Sequence, residues 1–271
     1  MSHPRAGAVD RVVDRRAPAG DKGRVPTSRR EIVATWATAV GILAVAKLVS
    51  IVEPSGVLGA NLAGVAAVVF VVLPDRRLRA RGEAWEACGL PWWGFGDVRT
   101  WRAWGRGLLV GLAVCAVVFP AFFVVFAGWA RLLPHLPDGL ARLLAPYALP
   151  PSPRFRLPDR LPLLVLNQVL VVALPEELFY RGWMQTSWAA TDPARRVRFL
   201  GADLGRGFLA TQALFALGHL VVLQVWRLGT FFPGLLFGWL RARTGNVAAA
   251  VVVHTLSNLF IATLEASFYG R

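Results

Sequence analysis

Seven apolar runs alternate with polar, arginine-rich segments along this chain, and the alternation predicts a bundle of membrane helices. The runs cover residues 32–52, 56–74, 107–130, 161–183, 207–224, 228–241 and 245–268. Several of them approach the ~20 residues that an α-helix needs to cross the hydrocarbon core of a bilayer. We therefore expect an all-α, multi-pass fold of seven transmembrane helices, or eight if 131–160 contains a re-entrant piece.

The polar segments divide the chain into four parts. Residues 1–31 carry eight basic and four acidic side chains and have no apolar stretch. This composition predicts a disordered, basic cytoplasmic tail and not a cleavable signal peptide. Residues 32–130 contain the N-terminal transmembrane helices, residues 131–160 are expected to form a Pro-rich loop, and residues 161–268 contain the remaining helices.

Composition and charge decide between a membrane partner and a nucleic-acid partner. The chain is 55% hydrophobic and only 17% charged, with a mean hydropathy of +0.50, which leaves too little polar surface for a soluble protein of 271 residues. Its net charge of +14 would suit nucleic acid. However, the basic residues cluster between the apolar runs, as membrane-flanking charge does. We expect the lipid bilayer, and no nucleic acid, as a partner.

The distribution of basic residues also predicts orientation and location. With the N-terminus inside, 21 basic residues fall in inner segments and seven in outer segments. The positive-inside rule therefore places the N-terminus in the cytoplasm. Of the 30 basic residues 28 are Arg, which together with abundant Ala, Leu, Val and Gly indicates a GC-rich bacterial genome. The predicted location is the bacterial inner (cytoplasmic) membrane.

Ionisable residues inside apolar runs are the candidate functional residues, because they are costly in a bilayer and usually serve a function there. They occur in three patterns, Glu176-Glu177-x-x-x-Arg181, Phe215-x-x-x-His219 and His254-x-x-x-Asn258.

Within each pattern, residues four apart share one face of a helix. Glu177 can therefore pair with Arg181, as part of a functional site or as a structural ion pair that fixes helix packing. Glu176 points about 100° away from Glu177 and has no obvious local partner. A partly desolvated carboxylate beside a histidine has the tuned proton affinity that a general base requires.

The two histidine patterns suggest complementary roles. The Phe215 ring can pack against the imidazole of His219 and fix its direction. His254 and Asn258 project together, so that both can donate hydrogen bonds to a developing oxyanion.

The three patterns, in this order and at these separations, resemble the CPBP family of intramembrane endopeptidases. That family includes the CaaX prenyl proteases and bacterial bacteriocin-processing and immunity proteins. The resemblance covers residues 161–268 and implies that this part is the catalytic transmembrane core. It implies a glutamic mechanism with these roles: Glu176 activates a water with help from His219, His254 and Asn258 stabilise the oxyanion, and Glu177, Arg181 and Phe215 support the site.

A zinc site is the alternative to a glutamate-activated water. Two histidines and a glutamate are a possible set of three zinc ligands. However, the spacing is not His-Glu-x-x-His, and an asparagine beside the second histidine suits an oxyanion hole better. The resemblance also implies a metal-free reaction, so we expect no cofactor. Cys88 and Cys115 are isolated and predict neither a disulfide nor a zinc site.

The expected function is hydrolysis of a peptide bond in a membrane-anchored protein or peptide. Leader removal and processing of a C-terminal anchor or sorting signal both remain open, whereas a prenylated substrate does not suit a bacterial host. One alternative is a proton-coupled transporter, although no internal repeat is visible in the chain. Another is a catalytically idle immunity or scaffold protein on the same fold, against which the intact Glu, His, His and Asn set argues.

Overall fold

The computed structural model describes residues 28–144, 151–191 and 196–270. These residues form nine α-helices and one hairpin: α1 (Arg29–Val52), α2 (Val57–Ala60), α3 (Leu62–Ala80), α4 (Val98–Leu132), α5 (Asp138–Leu144), α6 (Leu161–Thr191), β1 (Arg196–Phe199), β2 (Ala202–Gly205), α7 (Arg206–Gly218), α8 (Phe231–Thr244) and α9 (Ala248–Tyr269). Single 3-10 turns occur at Trp85–Cys88, Leu133–His135, His219–Val222 and Val225–Thr230. The predicted all-α bundle is confirmed, with the hairpin as its one addition in the described residues.

Four helices of the described residues are long and apolar enough to cross a membrane. They are α1, α4 with the turn that follows it, α6 and α9. Helices α3, α7 and α8 coincide with the other predicted apolar runs but do not meet the same criteria of length and composition. The total of seven or eight spans therefore stays a prediction.

The start of the first helix differs from its predicted position by three residues. Most of the predicted tail, residues 1–27, lies outside the described residues. Ser28 is the N-cap of α1, and its hydroxyl accepts a hydrogen bond from the Glu31 backbone N–H at 3.1 Å. Because this cap satisfies one of the free N–H groups of the first turn, the helix begins at Arg29, before the apolar run itself.

The predicted Pro-rich loop at 131–160 contains ordered pieces. It includes the end of α4, the helix α5 and an extended segment from residue 151, while residues 145–150 lie outside the described residues. The backbone N–H groups of Ser152 and Arg154 donate to the carbonyls of Phe268 and Ser267, both at 2.8 Å. This segment therefore lies along the C-terminal end of α9.

Helices α4 and α9 approach each other closely along a pair of glycines. A Cβ atom on Gly107 would lie 2.6 Å from the Cβ of Ala248, and one on Gly111 would lie 2.5 Å from Val252 Cγ1. Small residues four apart allow two membrane helices to pack with their backbones in close proximity. This packing positions α9, which carries His254.

Gly111→Ala is expected to lower the thermal stability of the protein in detergent. The added methyl group meets Val252 and overpacks the interface, at a cost of about 1–3 kcal/mol. Gly128→Ala on the same helix is the matched control, because a Cβ there meets nothing within 4 Å. Thermal unfolding of both variants checks this, and equal stability of the two would contradict the close packing.

Helix α6 passes through the middle of the bundle. Every residue from 177 to 185 is buried, although one face of a membrane helix ordinarily contacts lipid. The helix is π-helical at Gln168–Ala173 and again at Leu178–Met184, on either side of the two glutamates. Pro175 lies between these stretches and has no N–H to donate, which disturbs the α-helical hydrogen bonding of the preceding turn. Such π-helical insertions are frequent at functional sites.

The hairpin β1–β2 lies between the predicted apolar runs 161–183 and 207–224, where the sequence pattern indicated only a polar connection. Its strands pair antiparallel, with Phe199 opposite Ala202, and Leu200 and Gly201 between them both have positive φ. A two-residue turn of this kind matches the twist of the paired strands. The indole N–H of Trp239 donates to the Phe199 carbonyl at 3.2 Å and attaches the hairpin to α8. Strands of four residues are too short to give a period-2 signal in the sequence.

Candidate active site

The centre of the site is a fully buried ion pair on α6. Arg181 Nη1 lies 3.1 Å from Glu177 Oε1, and neither side chain is exposed. The pairing that the spacing of four predicted is therefore present. Because both charges are buried, each needs further partners to offset its lost hydration.

The Arg181 guanidinium finds those partners on two other helices. Its Nη2 donates to Gln212 Oε1 on α7 at 3.0 Å and to the Gly234 carbonyl on α8 at 3.3 Å. Its carbon atom lies 4.0 Å from the centre of the Phe215 ring, in cation–π contact. Arg181 thus joins α6, α7 and α8 at one point.

His254 on α9 completes the buried cluster. Its Nδ1 lies 2.8 Å from Glu177 Oε1, and its ring stacks on Phe237 with the ring centres 4.8 Å apart. Because a carboxylate only accepts hydrogen bonds, Nδ1 carries the proton and donates. This bond turns the opposite nitrogen, Nε2, towards Glu176, whose Oε2 lies 3.9 Å away.

Glu176 differs from Glu177 in its surroundings. Its side chain is 17% exposed, whereas that of Glu177 is fully buried. The Oε2 atoms of both carboxylates are buried without a hydrogen-bond partner among the described residues. An acceptor of this kind costs free energy unless a substrate or water molecule satisfies it. Glu176 is therefore the carboxylate that is both accessible and available for chemistry.

His219 lies at the end of α7, where the helix passes into a 3-10 turn. Its Nδ1 donates to the Phe215 carbonyl at 2.8 Å, and the two rings pack edge to face with centres 4.5 Å apart. The predicted packing of Phe215 on His219 is thus present. The second nitrogen, Nε2, keeps a free lone pair in the neutral ring.

Asn258 lies one helical turn beyond His254, about 6 Å further along α9 at 1.5 Å per residue. Its Nδ2 donates to Gln168 Oε1 on α6 at 2.8 Å. The amide group has a second N–H that this bond does not use. Asn258 therefore faces the same helix as His254 but contacts a different residue.

The fold brings Glu176, Glu177, Arg181 and the two histidines into one cluster with Phe215, with Asn258 at its edge. The sequence analysis missed three further members, namely Gln168, Gln212 and Phe237. The two glutamines could have been found, because an amide inside an apolar run is also costly in a membrane. Phe237 gave no signal, since a phenylalanine in an apolar helix is ordinary.

The other metal-binding and nucleophilic groups of the described residues do not form a competing site. Among the described residues, His, Cys, Asp and Glu side chains form no group of three or more that could hold a metal ion. Cys88 lies in the connection between α3 and α4, where burial raises the pKa of its thiol to about 12. It therefore stays protonated at neutral pH and is a poor nucleophile.

Comparison with known proteins identifies the part of the chain that holds this cluster. A family model described as Type II CAAX prenyl endopeptidase Rce1-like matches residues 158–260, which include all seven candidate residues. No curated protein and no solved structure matches the chain. The match agrees with the resemblance seen in the three sequence patterns. Residues 158–260 of this chain are therefore similar to the Rce1-like family of type II CAAX prenyl endopeptidases.

Proposed function

We propose that this protein is an intramembrane endopeptidase that cleaves a membrane-anchored protein or peptide with a glutamate-activated water. The observation that carries the proposal is the contrast between the two adjacent glutamates. Glu177 is fully buried and its Oε1 accepts from Arg181 and His254, although its Oε2 has no partner among the described residues. Glu176 is 17% exposed, and its unpartnered Oε2 lies 3.9 Å from an imidazole nitrogen. Glu177 is thus structural, and the accessible Glu176 is free to react.

Glu176 acts first as a general base and then as a general acid. It takes a proton from a water molecule while the water oxygen bonds to the carbon of the scissile carbonyl. The free Nε2 of His219 accepts a hydrogen bond from the same water and orients it. When the tetrahedral intermediate collapses, the C–N bond breaks and Glu176 returns its proton to the leaving nitrogen.

His254 and Asn258 stabilise the negative charge that develops on the carbonyl oxygen. In its protonated form, His254 donates from Nε2, while Nδ1 remains bonded to Glu177. Asn258 donates with the N–H that Gln168 does not use. Donors that are held in place before the reaction stabilise an oxyanion at little cost in reorganisation.

Gln168 is expected to act by positioning Asn258. Asn258→Ala should lower kcat about 10²–10³-fold, the usual effect of removing one oxyanion donor. Gln168→Ala should lower kcat less, with KM unchanged, and should add little in the Asn258→Ala background because the two residues act as one unit. Cleavage kinetics of the two single variants and the double variant check this.

Asn167→Ala is the matched control for Gln168→Ala. Asn167 is the neighbouring amide on α6 but is exposed. Equal losses from Asn167→Ala and Gln168→Ala would contradict a specific role for Gln168.

The proposed reaction uses no metal. Nδ1 of each histidine is already hydrogen-bonded, so both the metal-free reaction and the zinc alternative would use the Nε2 atoms, and removal of metal distinguishes them. We expect dialysis against a chelator to leave the cleavage rate unchanged, and added Zn²⁺ to give no increase. Loss of activity that Zn²⁺ restores would favour the zinc alternative.

The proposed setting is the bacterial inner membrane, with the N-terminus in the cytoplasm. The substrate is a leader peptide of a secreted protein or the C-terminal anchor of a surface protein. The test is mass spectrometry of protein termini from host membranes that contain the wild type or Glu176→Gln. Termini that appear only with the wild type support a protease. Identical termini, with Glu176→Gln still rescuing a deletion strain, would instead indicate transport or scaffolding.

A further inference from the structure

A polar cavity lies at one end of the bundle, apart from the glutamate cluster. Its volume is about 290 Å³. It is formed by the last turns of α6 and α8, the hairpin β1–β2 and the first turn of α7, with Thr186, Trp188, Arg196, Asp203 and Arg241 among its lining residues. None of these residues belongs to the proposed reaction.

Two of the lining residues carry a buried N–H donor that has no acceptor among the described residues. Trp188 Nε1 and Arg241 Nε are shielded from solvent and make no hydrogen bond to the described residues. Arg241 is held in place by its Nη2, which donates to the Cys88 carbonyl and the Thr186 hydroxyl, both at 3.1 Å. Because these N–H dipoles are unpaired, they add positive potential to the wall of the cavity, which suits a ligand with acceptor oxygens.

The charge of the cavity also selects an anion. Arg196 donates from Nη2 to the Ala189 carbonyl at 3.1 Å, which holds its guanidinium at the end of α6. Asp203 is the one acidic residue of the lining, and it faces Arg198 across the hairpin. Arg196 and Arg241 therefore leave a net positive charge. The N-terminus of α7 opens on the same space, where its cap, Gly205, provides no side-chain acceptor.

The hairpin beside the cavity has the character of a membrane-surface element. Val197, Phe199 and Leu200 are all more than half exposed, although they are apolar. Val197 and Phe199 alternate with Arg196 and Arg198 along β1, and Leu200 follows in the turn. Exposed apolar side chains interleaved with arginines are typical of segments that lie at the boundary between lipid headgroups and acyl chains. Trp188 in the cavity wall is also a residue type enriched at that level.

We propose that this cavity binds the phosphate group of an anionic phospholipid. The phosphate oxygens pair with the guanidinium groups of Arg196 and Arg241, beside the indole N–H of Trp188, while Val197, Phe199 and Leu200 contact the acyl chains. The planar guanidinium groups of the arginines donate charge-assisted hydrogen bonds to the phosphate oxygens. The lipid attaches the hairpin to the ends of α6 and α8, outside the active site.

The test is native mass spectrometry of the purified full chain in detergent micelles, titrated with phosphatidylglycerol or phosphatidylcholine of the same acyl chains. We expect tighter binding of phosphatidylglycerol. Arg196→Gln should weaken it about tenfold, the effect of losing one charge-assisted hydrogen bond. Trp188→Phe, which removes the indole N–H and keeps an aromatic ring, should weaken it less.

Arg198→Gln is the matched control, because it removes an equal charge two residues along the same exposed strand and does not line the cavity. Equal losses from Arg196→Gln and Arg198→Gln would show diffuse attraction to the membrane and overturn the site. Equal affinity for the two lipids would also overturn it. In a parallel titration with inorganic phosphate, binding of phosphate without binding of phosphatidylglycerol would overturn the lipid as the source of the phosphate.

Discussion

Glu176→Gln should abolish peptide cleavage while the protein folds and inserts normally. The substitution keeps the size of the side chain and removes its capacity to take a proton from water. Loss of a general base is expected to cost at least ~10²-fold in rate. The measurement is single-turnover cleavage by the purified variant, with thermal unfolding recorded on the same sample.

Glu86→Gln is the control for Glu176→Gln, because Glu86 is an exposed carboxylate in the connection between α3 and α4. It should retain the wild-type rate. A Glu176→Gln variant that cleaves at the wild-type rate would contradict the proposed mechanism, whatever its stability.

Arg181→Met should destabilise the protein strongly and lower activity as a consequence. It leaves the carboxylate of Glu177 buried without its cation and removes the hydrogen bonds to Gln212 and Gly234. Breaking a fully buried pair in this way typically costs about 3–5 kcal/mol. The measurements are the membrane expression level and the thermal unfolding midpoint.

The matched control is a second Arg–carboxylate pair with the same spacing of four. Arg79 and Asp75 pair at 2.6 Å near the end of α3, but the Arg79 side chain is 79% exposed. Arg79→Met should have little effect, because exposed ion pairs contribute little to stability. If Arg181→Met and Arg79→Met were equally stable, the central role of the buried pair would be wrong. The double variant Glu177→Gln/Arg181→Met should recover part of the lost stability, since no buried charge is then left unpaired.

The two predictions separate the adjacent glutamates and their functions. We expect substitution of Glu176 to affect the reaction and not the fold, and substitution in the Glu177–Arg181 pair to affect the fold first. The two effects differ because the two side chains leave α6 in different directions. Glu176 points towards the accessible space, and Glu177 points into the contact between α7, α8 and α9.

Those features that depend on one helix alone were determined by the sequence. The apolar runs predicted the helices, and the spacing of four predicted the contacts of Glu177 with Arg181 and of Phe215 with His219. Residues four apart meet on any α-helix, whatever surrounds it, so such pairs can be read from spacing. The family resemblance then assigned roles to these residues.

Contacts between helices were decided only by the tertiary structure. The bond of His254 to Glu177 joins residues 77 apart, and that of Asn258 to Gln168 joins residues 90 apart. Each depends on the rotation and depth of α9 against α6, which Gly107 and Gly111 help to set through α4. Apolar patterning does not encode that rotation, because faces that contact lipid and faces that contact protein are both apolar in a membrane. The sequence thus determined which helices form and which side chains they present, and the packing decided which of the two glutamates remained accessible.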